Sequence, residues 1–351
     1  METEAKTVEL NLCGLSLGDY KGSPSTLCPG CGHNAVSAQV QNAVWELGLP
    51  PERFVKISGI GCSSKSPNYF LNRSFGFNGL HGRMPTLATG ACFADSSIHI
   101  LGFSGDGDTA SIGMGHFKHV IRRNVPMTYI IENNGCYGLT KGQFSATSDQ
   151  GLVLKHQGVN MLPPLDMCME ALISGANFVA RAYSGDAKQL KELIKAAISQ
   201  KGIAIIDVIS PCVTFNNKDD ALQSYTWGRD NEAPLHDFKH FSRREDMDLS
   251  DFEPGSYREI KMQDGTYMIL RKIDKDYDPT NHSAALDLLT ESYKNKYFAT
   301  GLIYFSEAAA TIQELYDLPE EPLNRISSDR LRPTQTMLAE INRSLDRKSV
   351  V

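Results

Sequence analysis

The fold class this sequence predicts is α/β: a mostly parallel sheet with helices on both faces, followed by a C-terminal extension. Three observations predict it. Short apolar strand patterns alternate with helical patterns up to about residue 215, as expected where a parallel sheet is covered by its own crossover helices. The Gly-Asp run at 105–108 and the Asn pair at 133–134 each follow such a strand, and ligands of parallel sheets sit at carboxyl ends of strands. Beyond that the alternation stops, and 216–260 is polar and rich in Asp, Arg and His. We therefore expect a ligand-binding domain over 1–240 and an extension over 241–351 that packs on neighbouring chains.

The elements follow in order. His33–Leu47 carries Val36, Val40, Ala43, Val44 and Leu47 at helical spacing. Phe54–Ile60 reads as a strand and Pro85–Phe93 as a small-residue helix. Ile98–Ser104 is a buried strand running straight into the Gly-Asp motif. Ser111–Arg122 is a helix with Phe117, Val120 and Ile121 on one face, and Arg122 and Arg123 complement its C-terminal dipole. Pro126–Glu132 is the next strand, Asp186–Ser199 an amphipathic helix, and Ile203–Ile209 a further apolar strand. In the extension, 276–300 holds a short helical pattern and Leu331–Leu345 reads as a final helix.

Composition narrows the class. The chain has 351 residues, 41% hydrophobic and 22% charged, with a formal net charge of −6. An acidic chain lacks the electrostatic footprint of a nucleic-acid binder. No run of about 18 apolar residues suggests a membrane span, and the polar start, Met1–Lys6, has no apolar signal core behind it. The expected location is the cytoplasm, with neither nucleic acid nor membrane as a partner. The eight cysteines, without an export signal, point to metal ligands or buried small side chains rather than disulfides.

Gly105-Asp106-Gly107-Asp108 and Asn133-Asn134 carry the first chemistry. A diphosphate binds beside an aspartate only if a cation lies between them, and Mg²⁺ is a hard ion that takes six oxygens. Asp106 offers a carboxylate oxygen, Asn134 an amide oxygen and Cys136 its backbone carbonyl; the Cys136 sulfur is too soft to serve. Gly105 and Gly107 permit close approach to phosphate, and a helix beginning near Asp108 would aim free N–H groups at it. Either motif alone is more often a turn. An EF-hand is excluded because Phe117 holds the twelfth position counted from Asp106. The pairing is what carries weight: the two sites lie 28 positions apart, with one strand–helix–strand unit between them, which brings them to adjacent strand ends.

Cys28-Pro-Gly-Cys31, Cys62 and Cys212 form a second group, the last two after predicted strands. Four thiolates there suit Zn²⁺ or an iron–sulfur cluster, with Zn²⁺ no worse by spacing alone; C-x-x-C is also a redox-pair spacing. Cys13, Cys92 and Cys168 fit no motif and are expected as buried small side chains.

Gly105–Gly107 with Asn133-Asn134 resembles the thiamine-diphosphate motif. Together with Cys28-Pro-Gly-Cys31-Gly32, Gly59–Lys65, Gly79–Arg83, Tyr137–Gln143 and Ser210–Asn216, it is similar to the β subunit of 2-oxoacid:ferredoxin oxidoreductases, nearest the 2-oxoglutarate type, over about residues 25–220. The resemblance implies Asp106, Asn134 and the Cys136 carbonyl on Mg²⁺. It implies Ile60, Gly61, Cys62, Ser63, His81, Gly107, Asp108, Gly138 and Leu139 around thiamine diphosphate, and Cys28, Cys31, Cys62 and Cys212 on one [4Fe–4S] cluster. His81 and Lys65 become catalytic candidates, His81 for proton transfer and Lys65 for a substrate carboxylate. Arg83 and Lys141 are weaker candidates, Tyr137 and Thr140 pocket-lining ones, while His116 and His119 read as structural. The implied reaction takes a 2-oxo acid and CoA to acyl-CoA and CO₂, passing electrons to ferredoxin. The glutamate that activates the cofactor, and the CoA site, would come from an α subunit in an αβ or α₂β₂ assembly. A pyruvate-specific relative, a non-redox thiamine decarboxylase or synthase with structural zinc, and a zinc-stabilised binding module remain the competing readings.

Overall fold

The computed structural model describes residues 8–155, 157–243, 256–262, 264–272, 277–307, 309–323 and 325–348. The polar start Met1–Lys6 and part of the 216–260 stretch, residues 244–255, lie outside the described residues.

In chain order the domain begins with α1 (Gly32–Glu46), β1 (Phe54–Ser58), β2 (Phe75–Asn78), α2 (Met84–Ala94), β3 (His99–Gly105), α3 (Met114–Arg122) and β4 (Met127–Asn133). Two short hairpins follow, β5 (Cys136–Tyr137) with β6 (Gln143–Phe144) and β7 (Val153–Leu154) with β8 (Gly158–Val159). Then come α4 (Met167–Ile173), β9 (Phe178–Tyr183), α5 (Ala187–Ser199), β10 (Ile203–Ile209), α6 (Tyr225–Asn231), β11 (Glu232–Pro234) and β12 (His236–Phe241). The C-terminal part contributes β13 (Tyr257–Lys261), β14 (Tyr267–Lys272), α7 (His282–Asn295), β15 (Phe298–Phe305), α8 (Ile312–Leu315), α9 (Ser328–Leu331) and α10 (Gln335–Lys348).

The main sheet has eight strands in the order β11-β15-β9-β10-β4-β3-β1-β2. The six from β9 to β2 run parallel, and β15 pairs antiparallel with β9. Strands β4, β9 and β10 are buried along their whole length, as strands covered on both faces must be. One apolar cluster joins α1 and α5 to one face; another joins α2, α3, α4 and α7 to the other. Helices on both faces of a mostly parallel sheet are the predicted class. Among the described residues no helix is long and apolar enough to cross a membrane.

The boundary expected at 240 does not divide the sheet. Residues 298–305 of the expected extension lie inside it, between β11 and β9. A second, three-stranded antiparallel sheet, β12-β14-β13, is tied to α5 where the His240 backbone N–H donates to Glu192 Oε2 at 2.8 Å. The final helix starts at Gln335 rather than Leu331, because Pro333 cannot continue a helix from before it and Thr334 Oγ1 accepts from Met337 N.

One predicted helix start also moves. Ser111 was expected to open a helix, but Gly107–Ile112 forms a wide π turn and α3 begins at Met114. The wider turn is made possible by Gly113, where a Cβ would stand 2.5 Å from the Asp108 carbonyl oxygen.

Candidate functional site

The carboxyl ends of β1, β3 and β4, the loop after β2 and the amino end of α1 enclose a cleft of about 470 Å³. It is lined by residues 60–63, 105–108 and 136–140, with His33, His81, Glu132 and Asn134. Every residue predicted around the cofactor or Mg²⁺ therefore lines one cleft. Lys65, Cys28, Cys31 and Cys212 do not line it.

Asp106 and Asn134 are buried at adjacent strand ends, as their spacing requires. Burial pushes the Asp106 carboxyl above the usual range, so a cation beside it would be welcome. Asp106 Oδ2 accepts from Ser145 Oγ and from Thr147 Oγ1 at 2.7 Å, and Asn134 Oδ1 caps Cys136 N at 3.1 Å. At Gly107 a Cβ would lie 2.4 Å from the Tyr137 ring, whose hydroxyl donates to the Gly107 carbonyl at 3.0 Å. Only glycine lets the ring close over the turn.

The Asp108 carboxylate is committed to the protein. Oδ1 accepts from Gly82 N at 2.7 Å and Ile60 N at 3.2 Å and pairs with His81 Nδ1; Oδ2 accepts from Ser104 Oγ at 2.6 Å. The side chain thus gathers the loops after β1 and β2, and what Asp108 can offer a ligand is backbone. The bond to Nδ1 fixes the His81 ring and leaves Nε2 for the cleft.

The four motif cysteines approach from three loops. Gly32 N donates to Pro211 O at 3.2 Å, joining the Cys28–Cys31 turn to the Cys212 loop, and Thr214 Oγ1 donates to Cys28 Sγ at 3.4 Å. Cys62 and Cys212 Sγ each lie 3.5 Å from the point where a Gly138 Cβ would stand. Burial pushes Cys31 up to about 12 and Cys62 up to about 11. A hydrogen bond from Cys136 pulls Cys212 down to about 6, giving it thiolate character. Among the described residues no three His, Cys, Asp or Glu side chains stand around one point closely enough to hold a single ion.

Of the remaining candidates, Lys65 is half-buried beside Cys62, whereas Arg83, Thr140 and Lys141 are exposed. His119 is exposed and His116 half-buried on α3, outside the cleft. Cys92 and Cys168 are buried as expected. Cys13 corrects its expectation: it is exposed, and its Sγ donates to Asn11 Oδ1 in a surface turn.

Sequence reasoning missed His33. It is fully buried, with Nδ1 2.6 Å from Ser210 Oγ and Nε2 3.4 Å from Asn134 Nδ2, and burial holds its pKa down to about 4. A neutral ring that donates from Nδ1 and accepts at Nε2 satisfies both contacts. Its place two residues after Cys31 was the available signal. Glu132 was also missed; it is fully buried, shares the one Ser66 Oγ proton between its two oxygens, and is pushed well above the carboxylate range by burial. Across the Asn133–Thr147 wall lies a larger cleft of about 1620 Å³, lined by Arg181, Asp166 and Asp207 among others; of the sequence-predicted motifs, Asn133 alone of its pair faces it.

Comparison with known proteins bears on this geometry. Residues 59–208 match the C-terminal TPP binding domain of thiamine pyrophosphate enzymes. The chain is 46% identical over 191 residues to the 2-oxoacid:ferredoxin oxidoreductase subunit beta of Saccharolobus solfataricus, covering 54% of this chain and 63% of that subunit's length. It is 39% identical over 193 residues to the 2-oxoglutarate synthase subunit KorB of Methanocaldococcus jannaschii, covering 55% of this chain and 71% of that one. Among solved structures, a chain of the Magnetococcus marinus 2-oxoglutarate:ferredoxin oxidoreductase, determined with 2-oxoglutarate, coenzyme A and succinyl-CoA bound, superposes with a TM-score of 0.71 at 32% identity, over 89% of this chain and 92% of that chain.

Proposed function

Because this chain belongs to the family of 2-oxoacid:ferredoxin oxidoreductase β subunits, we propose that it is the thiamine-diphosphate half of an enzyme that oxidatively decarboxylates a 2-oxo acid. With CoA the products are acyl-CoA and CO₂, and ferredoxin takes the electrons. 2-Oxoglutarate is the favoured substrate, in line with the names of two of the relatives above. We place the enzyme in the cytoplasm, as an αβ or α₂β₂ assembly whose α subunit supplies the activating glutamate and the CoA site.

One observation carries this reading. The Asp106–Asn134 clamp and the loops bearing Cys28, Cys31, Cys62 and Cys212 meet at one edge of one sheet, and Cys62 and Gly138 belong to both. The donor chemistry fits each group. Asp106, Asn134 and the Cys136 carbonyl offer hard oxygens to Mg²⁺, and the glycine-lined turn suits a diphosphate. The four cysteines suit a [4Fe–4S] cluster. When bound, thiamine diphosphate would supply a carbon nucleophile and the cluster a one-electron acceptor.

The chain's own residues bind and orient. His81, pinned through Nδ1 to Asp108, holds or delivers a proton at Nε2. Lys65 sets an ammonium beside Cys62, where a substrate carboxylate would be held. Tyr137 closes over Gly107 and keeps water from the turn.

Anaerobic co-expression with the α subunit tests the proposal through iron, sulfide and thiamine-diphosphate content and activity on a panel of 2-oxo acids. Asp106→Ala should lose the cofactor and keep iron; Cys212→Ala should lose the cluster's low-temperature EPR signal. A colourless, zinc-loaded protein would overturn the redox reading.

A further inference from the structure

The two oxygens of Asp106 are treated differently. Oδ2 accepts two hydroxyl hydrogen bonds, from Ser145 at 2.5 Å and Thr147 at 2.7 Å. Oδ1 meets the Asn134 N–H at 3.5 Å, the outer limit for such a bond. Both hydroxyl residues are more than nine-tenths buried. Their loop is locked as well: Ser145 N donates to Ser148 Oγ at 2.8 Å, Ser148 Oγ to Gly135 O at 2.6 Å, and Gln223 Nε2 to Thr147 O at 3.2 Å. Thr147 Oγ1 also lies 3.0 Å from Asn133 Oδ1, so its one proton is shared between that amide oxygen and Asp106 Oδ2.

We propose that Ser145 and Thr147 hold Asp106 as a one-oxygen ligand and thereby make the clamp select Mg²⁺ over Ca²⁺. This deepens the thiamine-diphosphate reading and rests on it. Mg²⁺ takes a strict octahedron and is satisfied by single carboxylate oxygens. Ca²⁺ takes more ligands at longer distance and draws carboxylates in with both oxygens. With Oδ2 capped by two buried hydroxyls, a two-oxygen grip requires both bonds to be given up. The hydroxyls also fix the carboxylate rotamer, so that Oδ1 is already presented towards the Asn134 end of β4. Ser145 and Thr147 are positioning residues: they act through Asp106 and need not touch the ion.

Equilibrium dialysis tests this on the anaerobically purified αβ assembly stripped of divalent ions. Bound thiamine diphosphate is measured against free Mg²⁺ and, separately, free Ca²⁺. The wild type should half-saturate at lower Mg²⁺ than Ca²⁺. Thr147→Val should raise the Mg²⁺ requirement by roughly 10- to 100-fold, the usual effect of removing a partner of a metal-binding carboxylate. It should raise the Ca²⁺ requirement less, so the preference narrows. Ser145→Ala should act in the same direction, and Thr147→Ser should restore wild-type behaviour. The proposal is overturned if the wild type shows no preference, if both variants stay within about twofold of it, or if both ions weaken by the same factor, as a merely structural role would give. Should Thr147→Val fail to fold by circular dichroism, Ser145→Ala decides alone. A wild-type assembly that retains no thiamine diphosphate at any Mg²⁺ concentration would instead overturn the functional reading beneath.

Discussion

Lys56→Met removes an ammonium from beneath the segment that carries Ser63 and Lys65 while keeping the side chain's length. In the wild type Lys56 is buried on β1, and its Nζ donates to the carbonyls of Pro67 at 2.6 Å, Phe70 at 2.7 Å and Leu71 at 3.0 Å. Pro67 lies in the last turn of the short helix Ser63–Tyr69, and Phe70 and Leu71 follow it directly. The Leu71 carbonyl keeps its bonds from Ser74 N and Oγ, but methionine leaves those of Pro67 and Phe70 dry, and a buried polar group without a partner costs about 2 kcal/mol, so the loss is about 4 kcal/mol. Against this, the variant no longer buries a charge. Burial draws the Lys56 pKa from 10.5 to about 8, a change worth about 3 kcal/mol. The difference is a net destabilisation of about 1 kcal/mol. Urea denaturation followed by circular dichroism reads it directly. A second signature is independent of magnitude. Between pH 8 and 10.5 the unfolded chain keeps the Lys56 proton and the folded chain does not, so wild-type stability rises with pH there; the variant should lack that rise. A variant as stable as the wild type with the pH slope unchanged would refute the account and mean that water already serves the Pro67 and Phe70 carbonyls.

Gly107→Ala should weaken thiamine-diphosphate binding at least tenfold by calorimetry, since the new methyl meets the Tyr137 ring at 2.4 Å; unchanged affinity would show that the ring moves freely. Arg181→Met leaves Asp166 and Asp207, bound at 2.6 and 3.2 Å, without their cation and should cost about 3–5 kcal/mol in chemical denaturation. His236, whose Nε2 accepts from Leu302 N at 3.0 Å, is held by burial at about 4. The unfolded ring takes up its proton near 6.5, so about 3 kcal/mol of stability should drain away as pH falls from 6.5 to 4, and His236→Gln should flatten that part of the stability–pH curve. Lys65→Ala should lower kcat/KM on 2-oxo acids; undiminished kcat/KM on all of them removes Lys65 from the substrate site.

What could be read from the sequence was what local pattern controls. Ile203–Ile209 was read to the residue because a strand buried on both faces is uniformly apolar. The clamp was legible because ligand type and spacing are set by the ion. Strand β9 was not, since Phe178-Val-Ala-Arg-Ala-Tyr183 contains an arginine; only Asp166 and Asp207, brought from elsewhere, make it tolerable in the sheet. Ser145 and Thr147 belong to no sequence motif, and the Asp108 side chain was expected at the cofactor rather than on neighbouring loops, because hydrogen bonds to distant loops leave no periodic trace. Cys13 looked like core by residue type alone.

Strand β15 has a consequence for how the chain is made. Its pairing partner, β9, is complete 115 or more positions earlier, Phe298 joining a sheet whose neighbouring strand ends at Tyr183. While the intervening residues emerge from the ribosome, that side of the sheet is an open, apolar edge with every outward N–H and C=O unpaired, the kind of template on which nascent chains associate. A chain truncated before Phe298 would retain every cysteine and every clamp residue, yet it would be born with that edge permanently exposed. Expression of such a fragment should therefore yield aggregate in proportion to its concentration, and chaperone demand during synthesis should peak before residue 305 is translated.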